Sequence, residues 1–275
     1  MNCSVVVTTY NDPIKLALVF EGLARQSVRP REIVVADDGS RPDTRELVQS
    51  WIRRMPSPLV HVWHEDAGFR KMRICNLAVL QSSGERILFL DGDSIPHSRW
   101  VEDHERAHAR AEVLCGRRVK LGPRLTARVD GSMVQAGDLE RMFGPVLASA
   151  LRSDTERWSL GLRLPAGIAS LLHPRPRKLM GVNFSVTRRA FEAVNGYAHD
   201  APAKREDREL ELRLIRGGHS FAALLNRAVV YHLHHPFAPA SLEGEALLLE
   251  HEGATHVRCA NGLDQLRQER TNALT

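Results

Sequence analysis

The sequence has few cysteines, and they lie far apart. None of the four forms a Cys-x-x-Cys pair. This spacing excludes the usual zinc-finger and disulfide-framework patterns and favours a reducing compartment. The four are Cys3, Cys75, Cys115 and Cys259.

Long apolar runs are also missing. No stretch approaches the roughly 18–20 apolar residues of a membrane-spanning helix. The opening Met-Asn-Cys-Ser-Val lacks the basic region and long apolar core of a signal peptide. We therefore expect a cytoplasmic protein, at most peripheral at the inner face of the cell membrane.

Aromatic residues make up only 5% of the chain, which leaves few platforms for stacking single-stranded nucleic acid. The net charge is +5 and the pI is near 9.3. Such a balance suits phosphate-bearing substrates, an anionic membrane or nucleic acid, so charge alone does not choose among them. Our prediction is that the chain has no nucleic-acid partner.

Strand and helix patterns alternate through the first part of the chain. The predicted strands cover residues 4–8, 33–36, 59–63 and 87–90, and amphipathic helices lie between them. Strands that are apolar on both faces and alternate with helices predict an α/β fold with a mostly parallel, Rossmann-like central sheet flanked by helices.

Changes in the strand and helix pattern along the sequence predict four segments. Residues 1–120 carry the alternating pattern, and residues 121–180 form a variable basic insertion. Residues 181–240 regain regular strands and helices, and residues 241–275 form a helical tail.

Three polar clusters follow predicted strands. Ligands of open parallel sheets bind beyond the carboxyl ends of the strands, so the three clusters should meet at one rim. Each also has an ordinary explanation as turn or helix-capping chemistry. The clusters are Thr9-Tyr10-Asn11, Asp37-Asp38-Gly39-Ser40 and Asp91-Gly92-Asp93.

The third cluster is an Asp-x-Asp triplet. Its carboxylates offer hard oxygen ligands to Mn²⁺ or Mg²⁺, and such an ion can neutralise a diphosphate. Further along, His232 and His234 should share one face of a strand, and either could complete a metal shell begun by Asp93. An ordinary surface position is the alternative for both histidines.

Arg70, Lys71 and Arg73 lie at a predicted helix start. Cations are unfavourable there, because the helix dipole attracts anions to this end. A nearby phosphate would explain them, and a solvated basic face is the alternative.

Glu206 and Asp207 also begin a predicted helix. Acids in a first helical turn can be purely structural. A carboxylate here can also act as the general base that deprotonates an acceptor hydroxyl, and Asp207 is our candidate.

Together these motifs resemble the family 2 glycosyltransferases of GT-A fold. The resemblance rests on Val-Val-Thr-Thr-Tyr-Asn, Glu-Ile-Val-Val-Ala-Asp-Asp-Gly-Ser and Phe-Leu-Asp-Gly-Asp, in this order. The stretch Gly68-Phe-Arg to Asn76 is similar to chondroitin-polymerase-type domains. Residues 181–197 with Arg-Glu-Asp207 are similar to the galactosyltransferase-type C-terminal half.

The resemblance implies a role for each matching residue. Thr9, Tyr10 and Asp38 would line the nucleoside pocket. From the rim clusters and the cationic helix start we also expect Asn11, Arg70 and Gly92 on the donor side. Arg73 and Asn76 would lie near base, ribose or phosphates. Asp91 would face the donor sugar or ribose, Asp93 would hold the metal, Asp207 would be the base, and Glu206 would lie near the sugars. The tryptophan- and glycine-rich stretch of the galactosyltransferase type is replaced by Pro202-Ala-Lys-Arg205, so galactose is not carried over.

The resulting hypothesis is an inverting, metal-dependent glycosyltransferase. It would use Mn²⁺ or Mg²⁺ and a UDP-sugar, and act on a glycan or lipid-linked acceptor in cell-envelope or polysaccharide biosynthesis. One rival is a sugar nucleotidyltransferase, which would want a glycine-rich loop after the first strand, where residues 8–11 hold no glycine. The other is a non-catalytic glycan- or nucleotide-binding protein.

Residues 157–178 mix apolar and basic side chains, so they either rest on an anionic membrane or pack as an ordinary insertion.

Overall fold

The computed structural model describes residues 2–141, 144–163, 168, 178–201, 205–236 and 242–272. Eleven strands lie in this part of the chain and form two sheets. They are β1 (Cys3–Thr9), β2 (Glu32–Asp37), β3 (Leu59–Trp63), β4 (Arg86–Asp91), β5 (Ser94–Pro96), β6 (Val113–Cys115), β7 (Arg117–Leu121), β8 (Thr155–Glu156), β9 (Asn183–Thr187), β10 (Phe221–Ala223) and β11 (Val229–His232).

The described helices surround these sheets. The α-helices are α1 (Pro13–Ala24), α2 (Pro42–Ile52), α3 (Lys71–Gln81), α4 (Trp100–Arg106), α5 (Pro123–Thr126), α6 (Gly131–Ala136), α7 (Pro145–Leu151), α8 (Arg188–Ala193), α9 (Glu206–Arg216), α10 (Leu242–Gly253) and α11 (Leu263–Asn272). Short 3-10 helices cover His108–Arg110, Asp138–Glu140 and Trp158–Gly161.

The larger sheet has the strand order β10-β6-β9-β4-β1-β2-β3. Strands β1 to β4 pair in parallel, and β9 runs antiparallel between β4 and β6. The predicted α/β fold with a mostly parallel central sheet is therefore confirmed. The first four strands lie within a residue or two of their predicted positions.

Both faces of this sheet are buried, which explains why its strands are apolar throughout. Val6 and Phe89 pack on one face with α3, α8 and α9. Val5 and Val7 pack on the other face with α1, α2 and α4. Successive strand residues point to opposite faces, so a strand covered on both sides carries no polar alternation.

Strand β9 ties the two halves of the sequence together. It inserts between β4 and β6, and its Phe184 stacks on Phe89 with 4.7 Å between ring centroids. A segment predicted as a separate C-terminal half thus supplies a central strand to the sheet of residues 1–120. The four-segment division itself stays a prediction.

The smaller sheet, β5-β11-β7-β8, positions the end of β11. Strand β11 pairs antiparallel with β5, so that His232 lies opposite Ser94, directly after Asp93. This pairing brings two stretches that are distant in sequence to the same edge.

No helix among the described residues is long and apolar enough to cross a membrane. Of the segment 157–178, residues 164–167 and 169–177 lie outside the described residues. Its predicted membrane contact stays a prediction.

Candidate active site

The carboxyl ends of β1, β2 and β4 open onto a cavity of about 490 Å³. All three predicted polar clusters contribute to it. Its lining includes Thr8, Thr9, Tyr10, Asp12, Lys15, Asp38, Phe69, Lys71, Asp91, Gly92, Asp93 and His235. We call it the donor cavity.

Asn11 fastens the first two rim loops to each other rather than lining the cavity. Its backbone N–H donates to Ser40 Oγ at 2.8 Å, and its Oδ1 accepts from the Arg41 N–H at 2.9 Å. Asn11 has a φ of 52°, in the left-handed region that asparagine tolerates better than most residues. The Oδ1 atom therefore caps the next loop, and the donor role predicted for Asn11 stays a prediction.

Thr8, which directly precedes the first cluster, joins the end of β1 to the third cluster. Thr8 Oγ1 donates to Asp91 Oδ1 at 2.9 Å, and the Gly92 N–H donates to the Thr8 carbonyl at 2.7 Å. A Cβ at position 92 would lie 2.6 Å from that carbonyl oxygen. Glycine is required there because the two loops approach backbone to backbone.

Asp38 is fixed in place from two sides. Its Oδ1 lies 2.7 Å from His64 Nε2, and its Oδ2 accepts from the Arg70 N–H at 3.0 Å. The neighbouring Asp37 is paired in the same way with His61 at 2.8 Å. Burial would raise the pKa of Asp37, but hydrogen bonds from His61 and Ser40 outweigh burial and lower it.

Lys71 is the cation that reaches the site from the start of α3. Its Nζ lies 2.8 Å from Asp91 Oδ1 and 3.7 Å from Glu206 Oε1. Burial would lower the pKa of Lys71, but the charges of Asp91, Glu206 and Asp207 outweigh it and hold the pKa well above its usual value. Sequence reasoning noticed Lys71 in the cationic cluster and assigned the ligand role to its neighbours instead.

Three residues predicted to bind the donor, on α3 or just before it, point away from the donor cavity. The Arg70 guanidinium donates to the Glu65 carbonyl, and Arg73 pairs with Glu269 of α11 at 2.6 Å. Asn76 is fully buried, and its amide both donates to the Tyr197 carbonyl and accepts from its N–H. None of the three lines the donor cavity, so their predicted ligand contacts are not supported, although the Arg70 backbone does hold Asp38.

Asp93 lies beside two histidines. Its Oδ1 is 3.2 Å from His232 Nδ1, and its Oδ2 is 3.4 Å from His235 Nε2. The potential ligand atoms of these three residues lie within 4.8 Å of one another. One carboxylate and two imidazoles are a chemically reasonable donor set for a divalent transition metal.

His234 is not part of this cluster. It is exposed, and its backbone N–H donates to Thr126 Oγ1. The prediction assumed that strand alternation continues to residue 234, but β11 ends at His232. Beyond the strand the alternation of side chains no longer applies, and His235 lies beside Asp93 where the period of two predicted His234.

Asp207 and Glu206 lie at the start of α9 with buried oxygens. Asp207 Oδ2 accepts from the Gly181 N–H at 2.7 Å. In the described part of the chain, Asp207 Oδ1 and Glu206 Oε2 have no hydrogen-bond partner. Burial, helped by the Glu206 charge and opposed by Lys71, raises the pKa of Asp207 to about 7.

These two acids line a second cavity of about 600 Å³, which we call the acceptor cavity. Lys71, Asp91 and His235 line both cavities, so the two meet at these three side chains. A molecule in one cavity can thus touch a molecule in the other. Such an arrangement suits a reaction between two substrates.

Comparison with known proteins agrees with the motifs. The family model described as "Glycosyl transferase family 2" matches residues 4–152. The validoxylamine A glucosyltransferase of Streptomyces hygroscopicus subsp. limoneus is 31% identical over 226 residues, which are 78% of this chain and 48% of that protein. The chain therefore spans about half the length of this curated relative.

Solved structures share the fold. S. aureus TarS in complex with UDP has a TM-score of 0.59 at 18% identity, covering 96% of this chain and 68% of that one. The mannosyltransferase PcManGT from Pyrobaculum calidifontis, in complex with GDP-Man and Mn²⁺, has a TM-score of 0.55 at 18% identity, covering 84% and 56%. The GT-A fold predicted from the resemblance is confirmed, and the chain belongs to glycosyl transferase family 2.

Proposed function

We propose that the chain transfers a sugar from a nucleotide-sugar donor, UDP-linked, to a hydroxyl of a glycan or lipid-linked acceptor, with inversion at the anomeric carbon. We place this reaction in cell-envelope or polysaccharide biosynthesis. The observation that carries the proposal is the meeting of the two cavities at Lys71, Asp91 and His235. The candidate metal ligand Asp93 lines one cavity and the candidate base Asp207 lines the other.

The nucleoside would bind on the β1 and β2 side of the donor cavity. Tyr10 is half exposed and lines the cavity, so its ring offers a face to a base. The Asp38 carboxylate, held by His64, would accept a hydrogen bond from a uracil or ribose. The structure of TarS with UDP supports a uridine nucleotide.

The donor sugar would lie near Asp91, where the cavities meet. Gly92, beside Asp91, also lines the donor cavity. Lys71 holds the Asp91 carboxylate at 2.8 Å, which fixes its direction.

We assign the 1–120 segment to the donor, residues 181–240 to the base and the metal histidines, and residues 121–180 to the acceptor or membrane side.

The chemical step is an in-line displacement. The acceptor oxygen forms a bond to the anomeric carbon as the bond from that carbon to the diphosphate oxygen breaks, and the electron pair leaves with the diphosphate. Asp207 takes the hydroxyl proton. A base is most effective with a pKa near the working pH, and burial beside Glu206 brings Asp207 to about 7.

A divalent cation fits the group formed by Asp93, His232 and His235. Asp93 contacts both histidines, and Ser94 Oγ donates to Asp93 Oδ1 at 3.1 Å. Two imidazoles favour Mn²⁺ over Mg²⁺, which prefers oxygen ligands. When bound, the ion would neutralise negative charge on the diphosphate. The PcManGT structure with Mn²⁺ supports this assignment.

A panel of nucleotide sugars tests the proposal. The purified chain, given Mn²⁺ and mixed glycan acceptors, should release UDP from a UDP-sugar, and a chelator should stop the release. Asp207→Asn should still bind UDP while turning over far more slowly. Binding of UDP without release of UDP from any donor would favour the non-catalytic rival, and formation of UTP from a UDP-sugar only when pyrophosphate is added would favour a nucleotidyltransferase.

A further inference from the structure

A second group of metal-ligating side chains lies outside both cavities. Glu209 of α9, His251 of α10 and His256, which follows α10, each offer one ligand atom, and these three atoms lie within 4.8 Å of one another. None of the three residues lines the donor or the acceptor cavity. A cation bound by them would therefore be separate from the one proposed at Asp93. We call this group the α9–α10 cluster.

The spacing of the cluster suits a small cation. His251 Nδ1 lies 3.5 Å from Glu209 Oε1, and the ring centroids of His251 and His256 are 6.0 Å apart. Bonds of about 2.0–2.1 Å to a tetrahedral zinc ion place its ligand atoms roughly 3.4 Å apart. The pair of Glu209 and His251 already has this spacing. His256 is exposed, so a small rotation of its side chain can bring its ring nitrogen closer.

His251 gives an independent sign of a ligand. Its Nδ1 atom is buried, and no hydrogen-bond partner for it occurs among the described residues. A buried polar atom without a partner destabilises the folded protein, so a group that binds this atom is favoured. Because the nearest carboxylate oxygen of Glu209 lies 3.5 Å away, a cation between the two atoms would bind both.

Glu209 can bind a cation although it also forms a buried ion pair. Arg213 Nε donates to its Oε1 at 2.6 Å, and Arg213 Nη2 donates to its Oε2 at 2.5 Å. An ionised carboxylate has about four lone-pair sites, so Oε1 can accept this hydrogen bond and still bind a metal. Arg213 also donates to the carbonyls of Val194 and Gly196, so its position does not depend on the cation. Metal-binding carboxylates are usually oriented by such a hydrogen-bonded neighbour, and Arg213 would have this supporting role.

The two helices are joined beside the cluster by contacts that need no metal. Arg208 pairs with Glu252 at 3.3 Å, and Arg216 donates to the Glu252 carbonyl at 3.2 Å. These contacts hold the end of α10 against α9, so His251 stays near Glu209 in the metal-free protein. A cation that binds to ligands already close together has less ordering to impose on the chain.

We propose that Glu209, His251 and His256 bind Zn²⁺, and that this ion fastens α10 to α9. One carboxylate and two imidazoles are a known ligand set for Zn²⁺, and they leave a fourth position for water. Mg²⁺ prefers oxygen ligands, so it should not compete. The ion would stabilise the fold and take no part in sugar transfer, because its ligands line neither the donor nor the acceptor cavity. The inference does not depend on the proposed function.

Zinc titration of the full chain tests the proposal. His235→Gln is the background for every measurement, because it weakens the site at Asp93. After a chelator has removed bound metal, this variant should bind one Zn²⁺ tightly, and Zn²⁺ should raise its melting temperature. The same concentration of Mg²⁺ should do neither. Absence of tight zinc binding would overturn the proposal, and equal binding of Mg²⁺ would overturn the choice of metal.

Variants assign the ion to the α9–α10 cluster. His251→Gln and His256→Gln, each added to the His235→Gln background, should weaken zinc binding at least about tenfold, since loss of a residue that only supports a metal ligand already has this effect. His256 is exposed, so its variant should fold even if His251→Gln does not. His108→Gln, an exposed histidine outside both metal clusters, is the matched control. Zinc affinity that His256→Gln leaves unchanged would overturn the proposal.

Hydrogen exchange tests whether the ion fastens the helices. In the His235→Gln background, Zn²⁺ should slow amide exchange in α10, because an ion that joins α10 to α9 makes local opening less frequent. The same addition should leave exchange unchanged in the variant that also carries His256→Gln. Tight zinc binding without slower exchange in α10 would overturn the fastening role.

Discussion

The donor and acceptor cavities are built in different ways. The donor cavity is formed by loops that follow β1, β2 and β4, and those loops hydrogen-bond to one another through Asn11, Thr8 and Gly92. The acceptor cavity combines side chains from β7, from residues 178–182 and from α9. There, Asp207 Oδ1, Glu206 Oε2 and Arg118 Nε are buried polar atoms for which the described residues supply no partner.

This difference has an energetic meaning. The loops of the donor cavity are joined to one another by hydrogen bonds, although His64 Nδ1 and Arg70 Nε beside them are also buried without a partner among the described residues. Loops joined in this way are preformed, so the donor should bind without large rearrangement. Unsatisfied buried groups reduce stability, and they are retained where a substrate or a proton completes them. We therefore expect the donor cavity to be a rigid binding site. In the acceptor cavity, the unpaired buried groups lower the stability of the free protein, and we expect a bound second substrate to supply their missing partners.

Changing Asp207 should give the largest effect on activity. Asp207→Asn removes the proposed base but keeps the size of the side chain, so turnover should fall by about 10²–10⁴-fold. The affinity for UDP should stay within about twofold, because Asp207 does not line the donor cavity. Steady-state kinetics and nucleotide titration measure the two quantities, and equal losses in both would contradict the division into two cavities.

A stability measurement shows whether Asp207→Asn loses turnover because the base is missing or because the fold is damaged. The folded-state pKa of Asp207 is about 7, above its ordinary 3.8, so the folded protein loses stability as pH rises through this window. Asparagine has no such loss. Asp207→Asn should therefore melt at a higher temperature than wild type at pH 8, and the difference should vanish near pH 4. A lower melting temperature at pH 8 would indicate damage to the fold.

The sequence predicted the donor side better than the rest. Local patterns sufficed for β1, β2 and β4, and for placing Asp38, Asp91 and Asp93 at one rim, because parallel strands end at the same edge. His235 was missed, because the end of β11 is decided by pairing with β5 and β7 and not by local alternation. The pairing of Lys71 with Asp91 likewise depends on tertiary packing that one sequence does not reveal.

Changing the metal site should give the second largest effect on activity. It also tests whether His235 or His234 belongs to that site. His235→Gln should raise the Mn²⁺ concentration needed for half-maximal activity by at least about 10–100-fold, since loss of a residue that only supports a metal ligand already has an effect of this size. His234→Gln is the matched control and should leave it unchanged, since His234 is exposed and outside the cluster. The reverse result would restore the strand-alternation prediction. Titration of activity with Mn²⁺ distinguishes the two.

The pH dependence should be smaller and should depend on Lys71. Asp207 acts as a base only when ionised, so kcat/KM should rise about tenfold per pH unit below 7 and level off above it. The Lys71 charge lowers the pKa of Asp207, so Lys71→Met should move the rise to higher pH. Lys15→Met, which changes a donor-cavity lysine paired with Asp12, should leave the midpoint unchanged. A midpoint that Lys71→Met does not move would contradict the coupling between the cavities.

The smallest effect on catalysis is expected at Asn76, which the resemblance placed beside the donor. Its amide instead ties α3 to Tyr197, in a tight turn where a Cβ on Gly196 would lie 2.5 Å from Asn76 Oδ1. Asn76→Ala should leave donor KM unchanged and cost about 1–3 kcal/mol of unfolding free energy, because the Tyr197 N–H and carbonyl lose their partner in a buried place.

Arg73→Gln is the companion variant, since Arg73 was assigned to the same ligand. Its pair with Glu269 is partly exposed on both sides, so its loss should cost less than about 1 kcal/mol, again without a change in donor KM. Urea unfolding and donor kinetics on both variants measure the contrast. A raised donor KM in Asn76→Ala at unchanged stability would return this residue to the nucleotide site. The expected contrast instead makes Asn76 a packing residue that holds α3, and with it Lys71, against the turn after α8.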